Sequence, residues 1–180
     1  MLTKREMPLL IKVFGSRIYV GNSNTELSTE YISLVSDLLY SEPVKALADW
    51  GQHKHVNRLQ HSVSVSYYSF LICRKLGLDY RAAARAGLLH DLYFFSRKEL
   101  GLGAAHIKLH PRAALKNAEI LTDLDDMERD IIAKHMWPLG GRAKYKETLV
   151  VSYVDKMCAL TEYSDYVRLY IKGLGCPLRG

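Results

Sequence analysis

Ala86-Gly87-Leu88-Leu89-His90-Asp91 is the stretch of this sequence that says most about its fold. It closes an Ala-rich segment that begins at Tyr80 after Asp79, a natural N-cap, and these features predict a helix ending at the His-Asp doublet. Neighbouring residues on a helix point about 100° apart, so both side chains reach one centre only where the helix ends. The doublet alone is common by chance, and its meaning depends on the rest of the chain.

Helical periodicity continues on both sides of this stretch. Residues 92–109 are predicted to form a loop with short helical segments, because they contain Gly101 and Gly103. Further helices are predicted from Ser28 to before Pro43, from Pro43 to about Trp50, from about Val56 to Leu76 with Gly77 as the stop, from Pro111 through Leu121, from Leu124 to about His135 after an Asp123 cap, and from about Glu147 to Ile171, where a break in the middle is left open. The prediction is an all-α bundle of about six to eight helices.

Residues 1–27 are predicted to form an arm that precedes one helical domain, residues 28–180. Two short strands, 9–14 and 17–20, are expected around Gly15-Ser16, with residues 21–24 closing the hairpin. An isolated hairpin is only marginally stable, so it must pack on the body or on a partner. The arm is therefore a hint of a homodimer.

Composition indicates an ordinary globular protein. The chain has 180 residues, of which 48% are hydrophobic and 24% charged. No apolar run approaches the roughly 18 residues of a membrane helix, and the N-terminus lacks a secretory signal, so we expect a cytoplasmic protein without a membrane partner. The three widely spaced cysteines indicate neither a disulfide framework nor a zinc knuckle. The net charge of +6 is scattered along the chain, so it suits an anionic ligand, and nucleic acid is not the expected partner on this evidence.

Histidine placement is the most informative chemical feature. Four of the seven histidines fall on different predicted helices or helix ends: His61, His90, His110 and His135. Neutral imidazole is a common ligand for transition metals, and carboxylates join it in mixed sites. Any one of these histidines is more often structural or exposed, so the argument rests on the set.

The ordered set His61, His90-Asp91, His110, His135 and Asp155 resembles the HD superfamily of metal-dependent phosphohydrolases. The flanking residues add to the resemblance, which covers roughly residues 40–165: Arg58-Leu-Gln-His61-Ser, His110-Pro-Arg-Ala-Ala, Ile131-Ile-Ala-Lys-His135 and Val154-Asp155-Lys156. The resemblance implies an HD-type helical bundle. It also implies hydrolysis of a phosphoester or phosphoanhydride in a small nucleotide-like substrate by a metal-activated hydroxide.

A binuclear ligand set follows from the same resemblance. Asp91 would bridge two divalent ions, one held by His61, His90 and Asp155 and the other by His110 and His135. Iron or manganese suits these mixed donors best, with magnesium, nickel and zinc as alternatives. The chain looks closest to a small bacterial branch that hydrolyses dinucleoside polyphosphates. A lysine usual in that branch is Phe94 here, and the Glu-Asp pair of guanosine tetraphosphate hydrolases is absent.

Several further residues are candidates for catalysis or substrate binding. The predicted catalytic residues are Asp91, Arg58 and Lys134. Arg58 lies one turn before His61 and could grip a phosphate, and Lys134, next to His135, could neutralise charge on the transferring phosphoryl group. Both residues could instead be solvated surface charges. The substrate-binding candidates are Arg58, Arg97, Lys98, His106 (also a candidate general acid), Trp137 (for base stacking) and Lys156.

Three other functions stay open from the sequence. A mono-metal nucleotidase would leave His110 and His135 incidental. A non-catalytic nucleotide or metal sensor would need no hydrolysis, and a nucleic-acid-binding HD protein would show strongly salt-dependent affinity. The expected partner is a small phosphorylated compound, most simply a nucleotide.

Overall fold

Seven α-helices and two short antiparallel hairpins make up the part of the chain that the computed structural model describes, residues 11–13, 19–20, 26–53 and 56–174. The helices are α1 (Glu26–Leu39), α2 (Glu42–Lys45), α3 (Arg58–Leu76), α4 (Tyr80–Leu89), α5 (His106–Leu121), α6 (Asp126–Lys134) and α7 (Lys146–Leu174). The strands are β1 (Ile11–Lys12), β2 (Tyr19–Val20), β3 (Gly51–His53) and β4 (Val56–Asn57). The all-α prediction is confirmed, and no helix within these ranges is long and apolar enough to cross a membrane.

The packing of α3 against α4 forms the centre of the core. Gly87 makes this approach possible, since a Cβ there would lie 3.1 Å from the Cα of Ser66. The Ser66 hydroxyl donates to the carbonyl of Ala84 at 2.6 Å and accepts from the Tyr31 hydroxyl at 2.9 Å. Helices α1 and α7 also pack on this pair, so α3 and α4 are covered on several sides.

Capping residues place the ends of α3 and α4. Asn57 accepts a hydrogen bond from the backbone N–H of Gln60, and Gly77 ends α3 in the left-handed conformation with φ 67°. The Asp79 side chain accepts from the N–H of Ala82 and begins α4. The predicted caps at Gly77 and Asp79 are confirmed. The doublet at His90 therefore lies where α4 ends, as its chemistry requires.

Two predicted helix starts are wrong. Helix α5 begins at His106 and contains Pro111, which removes one backbone hydrogen bond but does not end the helix. Helix α6 is capped by Asp125, not Asp123, because Glu128 completes a reciprocal capping box three residues later. Helix α7 is continuous, which settles the open question of a break in its middle.

The predicted N-terminal hairpin is present in its described residues. Ile11 pairs with Val20, and both side chains are buried with Val13 against the core. The Gln60 side chain donates to the carbonyl of Lys12 at 3.3 Å and ties the hairpin to α3. The expected turn and closing residues lie outside the described ranges. A second hairpin, β3–β4, was not predicted and leads into α3.

Candidate metal centre

Six buried or largely buried side chains form two adjacent groups of possible metal ligands. One group is His61, His90 and Asp155, and the other is Asp91, His110 and His135. Within each group the ligand atoms lie within 4.8 Å of one another. These are the six residues that the sequence predicted as ligands, and the fold brings all of them together.

The two groups come from different parts of the helical framework. His61 lies in the first half of α3 and Asp155 in the middle of α7, two helices that pack against each other. His90 and Asp91 follow the last residue of α4, and His135 follows the last residue of α6. His110 lies inside α5.

Each of the four histidines has its Nδ1 atom fixed by a hydrogen bond. His90 donates to the carbonyl of Gly87 at 2.7 Å, and His135 donates to that of Ile132 at 2.9 Å. Both carbonyls belong to the last turn of a helix, where they have no partner in the helix. His110 donates to the carbonyl of His106, and His61 donates to Glu162 at 2.9 Å. With the proton on Nδ1, the Nε2 atom of each imidazole can bind a metal ion, which at His61 would replace the 3.0 Å contact of Nε2 with Asp155 Oδ1.

The distances inside the groups suit metal ligation. The Nε2 atoms of His110 and His135 are 2.9 Å apart. Two nitrogens about 2.1 Å from one ion and at a right angle to each other would be separated by ~3 Å. The Nε2 atom of His90 and the Oδ1 atom of Asp91 are buried and have no hydrogen-bond partner. Buried polar atoms of this kind are rare without a ligand, so the donor set fits metal ions.

Asp91 lies between the two groups. Its Oδ1 atom is 3.6 Å from His110 Nε2 and 3.8 Å from His135 Nε2, while its Oδ2 atom is 3.8 Å from His90 Nε2. One carboxylate oxygen therefore faces each group. This arrangement is the one that a bridging carboxylate needs.

The ionisation of the site favours cation binding. Burial raises the pKa of Asp91, but the surrounding histidines outweigh it and bring the pKa to about 2, so Asp91 is a carboxylate at neutral pH. Burial and the neighbouring His90 lower the pKa of His135 to about 4, which keeps its imidazole neutral. Burial alone would lower the pKa of His61, yet the adjoining carboxylates of Asp155 and Glu162 raise it to about 10. The same negative charge would attract a divalent cation.

Gln52, which the sequence did not single out, supports Asp91, and Arg58 and Tyr93 lie behind it. The Gln52 side chain donates to Asp91 Oδ2 at 2.9 Å and accepts from Arg58 Nε at 3.2 Å. Arg58 also donates through Nη1 to the carbonyl of Tyr93 and stacks over the Tyr93 ring, 3.7 Å from its centroid. Arg58 is thus buried and holds Gln52. The sequence had predicted that Arg58 binds a phosphate or forms an exposed ion pair.

A cleft of about 560 Å³ opens beside these supporting residues. Arg97, Lys98 and His106, all predicted substrate-binding residues, line it together with Arg58. The His106 ring stacks on that of His110 with centroids 4.4 Å apart, and burial followed by the nearby His110 lowers the pKa of His106 to about 4. Asp49 and Glu99 also line the cleft, so it holds both cations and carboxylates, and the His106 ring lies between it and the ligand His110.

The other predicted residues do not line this cleft, although Lys156 donates to the carbonyl of the ligand His135 at 3.4 Å. Lys134 lines a separate pocket on the other side of α5. Lys156 donates to the Ser152 hydroxyl at 2.6 Å and to the Ser152 carbonyl at 3.0 Å. The Trp137 side chain is 42% exposed. It lines neither the cleft of Arg97 and Lys98 nor the pocket of Lys134.

Comparison with known proteins identifies the class. The HD domain family model matches residues 58–160, so the chain belongs to the HD domain family of metal-dependent phosphohydrolases. Similar curated proteins are named Ribonuclease Y. The Clostridium tetani protein is 36% identical over 89 residues, 49% of this chain and 15% of its own length, and the Pseudothermotoga lettingae protein is 34% identical over 90 residues, 50% of this chain and 16% of its own length.

A third relative, Ribonuclease Y of Clostridium perfringens, is 42% identical over 66 residues, 37% of this chain and 11% of its own length. The matches thus cover less than one fifth of each relative. No solved structure gives a significant match to the chain.

Proposed function

We propose that this chain is a two-metal phosphohydrolase that cleaves a phosphoester or phosphoanhydride bond of a nucleotide-like substrate. The observation that carries the proposal is the convergence of six ligand side chains around one carboxylate, Asp91, that faces both groups. His61, His90 and Asp155 would hold one ion, and Asp91, His110 and His135 the other. Iron or manganese suits this mixed set without a thiolate.

The chain's own residues prepare the reaction in three ways. When bound, a metal pair supplies an activated water and neutralises developing negative charge on a phosphoryl group. The fixed Nδ1 atoms hold the imidazoles in one tautomer, and Gln52 holds Asp91 in one orientation. Arg97 and Lys98 line the adjoining cleft and would bind substrate phosphates.

The substrate is proposed from the charges of this cleft. A dinucleoside polyphosphate carries several anionic groups, and Arg97 and Lys98 supply cations near Phe94, the position where the resembling branch has a lysine. A second candidate is RNA, because the similar proteins are named Ribonuclease Y. Both candidates contain a phosphate linkage between nucleosides, so one mechanism would serve for either.

The test combines metal content with activity. Protein purified without added metal is analysed for iron and manganese and then assayed with a dinucleoside tetraphosphate, a short single-stranded RNA and mononucleotides, with the Asp91→Ala variant as the control. We expect about two equivalents of metal and hydrolysis that Asp91→Ala abolishes. Metal binding without hydrolysis of any substrate would favour a sensor. Failure to bind metal even after reconstitution would contradict the proposal.

A further inference from the structure

A second pocket, of about 400 Å³, lies on the side of α5 away from the cleft described above. Three cationic side chains line it: Lys108 and Arg112 from α5, and Lys134 from the end of α6. The Gly140-Gly141 loop closes its wall. A Cβ at Gly141, where φ is +109°, would lie 3.3 Å from Lys134 Nζ, so the loop fits closely over the lysine.

The positive charges in this pocket are not balanced by the protein. Among the described residues, no ion pair joins Lys108, Arg112 or Lys134 to a carboxylate, and no acidic residue lines the pocket. Arg85, in contrast, pairs with Asp37 at 2.8 Å. Gathering three like charges in one concave pocket costs electrostatic energy, which a bound anion offsets.

The pocket and the group of Asp91, His110 and His135 share helix α5 and the end of α6. Lys108 and Arg112 lie two residues before and two residues after His110, and Lys134 directly precedes His135. The cleft with Arg97 and Lys98 lies on the His106 side of the same helix. Side chains two residues apart leave a helix on different faces, so the pocket and His110 lie on different faces of α5, and positive charge is available on both sides of this helix.

We propose that this basic pocket binds a phosphate group of the substrate other than the one that is cleaved. The inference rests on the proposed function and deepens it, because it requires a substrate with phosphates on both sides of the scissile bond. A short single-stranded RNA and a dinucleoside polyphosphate share this chemistry, whereas a mononucleotide has a nucleoside on only one side of its phosphate groups.

The test is equilibrium binding of a fluorescent five-nucleotide RNA with hydrolysis-resistant phosphorothioate linkages to the metal-loaded full chain. The pocket variant is Lys108→Ala/Arg112→Ala. The matched control is Lys75→Ala/Lys116→Ala, which removes the same charge from exposed helix positions outside the pocket. Thermal unfolding of both variants checks that they fold.

We expect the pocket variant to bind the RNA roughly tenfold more weakly, with a salt slope smaller by about 0.7, as loss of one phosphate contact predicts. The control should change affinity less than about twofold, since charges outside the pocket act only at long range. Diadenosine tetraphosphate and unlabelled RNA are then compared as competitors. Equal competition assigns the pocket to a dinucleoside polyphosphate, and weaker competition by diadenosine tetraphosphate assigns it to an RNA strand.

An unchanged RNA affinity in the pocket variant, or an equal loss in both double variants, would overturn the proposal. The binding assay needs no turnover, so its outcome is separate from that of the proposed function. A protein that binds through the pocket but hydrolyses neither compound would contradict the hydrolase alone.

Discussion

The two ligand groups are supported in different ways. In the group of His61, His90 and Asp155, the His61 imidazole is held by the carboxylate of Glu162. In the group of Asp91, His110 and His135, both imidazoles are held by backbone carbonyls of their own helices. A carboxylate increases the basicity of the imidazole more than a neutral carbonyl does. The first group is therefore expected to bind its ion more tightly.

The surrounding elements add to this difference. The first group is held by α3 and α7, which pack against each other in the core. The second depends on α5, which packs mainly on α6 and follows residues 92–105, where the only regular element is the 3-10 turn Gly103–Ala105. Less buried and less regular elements open more easily. If both groups hold ions as proposed, we expect the ion in the group of Asp91, His110 and His135 to exchange faster than the ion in the group of His61, His90 and Asp155.

The largest effect should come from Asp91, because it is the one ligand that faces both groups. Asp91→Ala should lose nearly all metal from both groups and reduce hydrolysis by ~10³-fold or more, as loss of several kcal/mol of charge stabilisation implies. Elemental analysis and steady-state rates measure these effects. An Asp91→Ala protein that keeps one full equivalent of metal would show that the groups are independent.

Removal of a histidine should separate the groups. His110→Ala should leave close to one equivalent of metal, because the first group remains complete. His61→Ala should also leave close to one equivalent of metal, now in the second group. This ion should be bound more weakly, since the imidazoles of His110 and His135 are held by backbone carbonyls. Chelator titration of both variants measures the two affinities. Equal affinities of the remaining ions would remove the distinction between the groups.

Glu162→Gln tests the support directly. The amide oxygen can still accept from His61 Nδ1, but the negative charge is lost, so affinity at the first group should fall by about 10-fold to 100-fold. Gln52→Ala is the matched change behind Asp91, the carboxylate that faces both groups, and should weaken both ions by a similar factor without changing the order in which they leave. The order in which the ions leave during chelation distinguishes the two variants. If Glu162→Gln weakens the ion of the second group instead, Glu162 does not act through His61.

The smallest effect is expected for the stability of the contact between α3 and α4, the two helices that position His61 and His90. Gly87→Ala should destabilise the fold by about 1–3 kcal/mol, because the new Cβ would lie 3.1 Å from the backbone of Ser66. The control is Gly51→Ala, where nothing lies within 4 Å of the new Cβ and a change within about 0.5 kcal/mol is expected. Denaturant unfolding measures both. Equal stability of the two variants would mean that α3 and α4 can separate without cost.

The six ligands could be predicted because each lies on a helix or at its end in a set order, and the resemblance carries that order. Glu162 could also have been found, since it lies seven residues after Asp155 and two helical turns place both on one face. The open question of a break in α7 hid this spacing. His106 stacks on His110 because both lie in α5, which begins at His106. Pro111 had indicated that this helix begins five residues later, so the sequence did not place the two histidines on one helix face.

Other parts of the site had no signal in the sequence. Gln52 lies in a hairpin of two short strands and reaches Asp91 across 39 positions of the chain. The burial of Arg58 between Gln52 and Tyr93 likewise depends on how the hairpin packs against the end of α4. Long-range contacts of this kind follow from tertiary packing, which neither periodicity nor spacing records.

Anomalous diffraction from crystals of manganese-reconstituted protein would count the ions in this site and locate each of them. We expect two peaks in the anomalous difference map, one within ligand distance of His61, His90 and Asp155 and one within ligand distance of Asp91, His110 and His135. A single peak at full manganese saturation, or none, would contradict the proposed two-metal site.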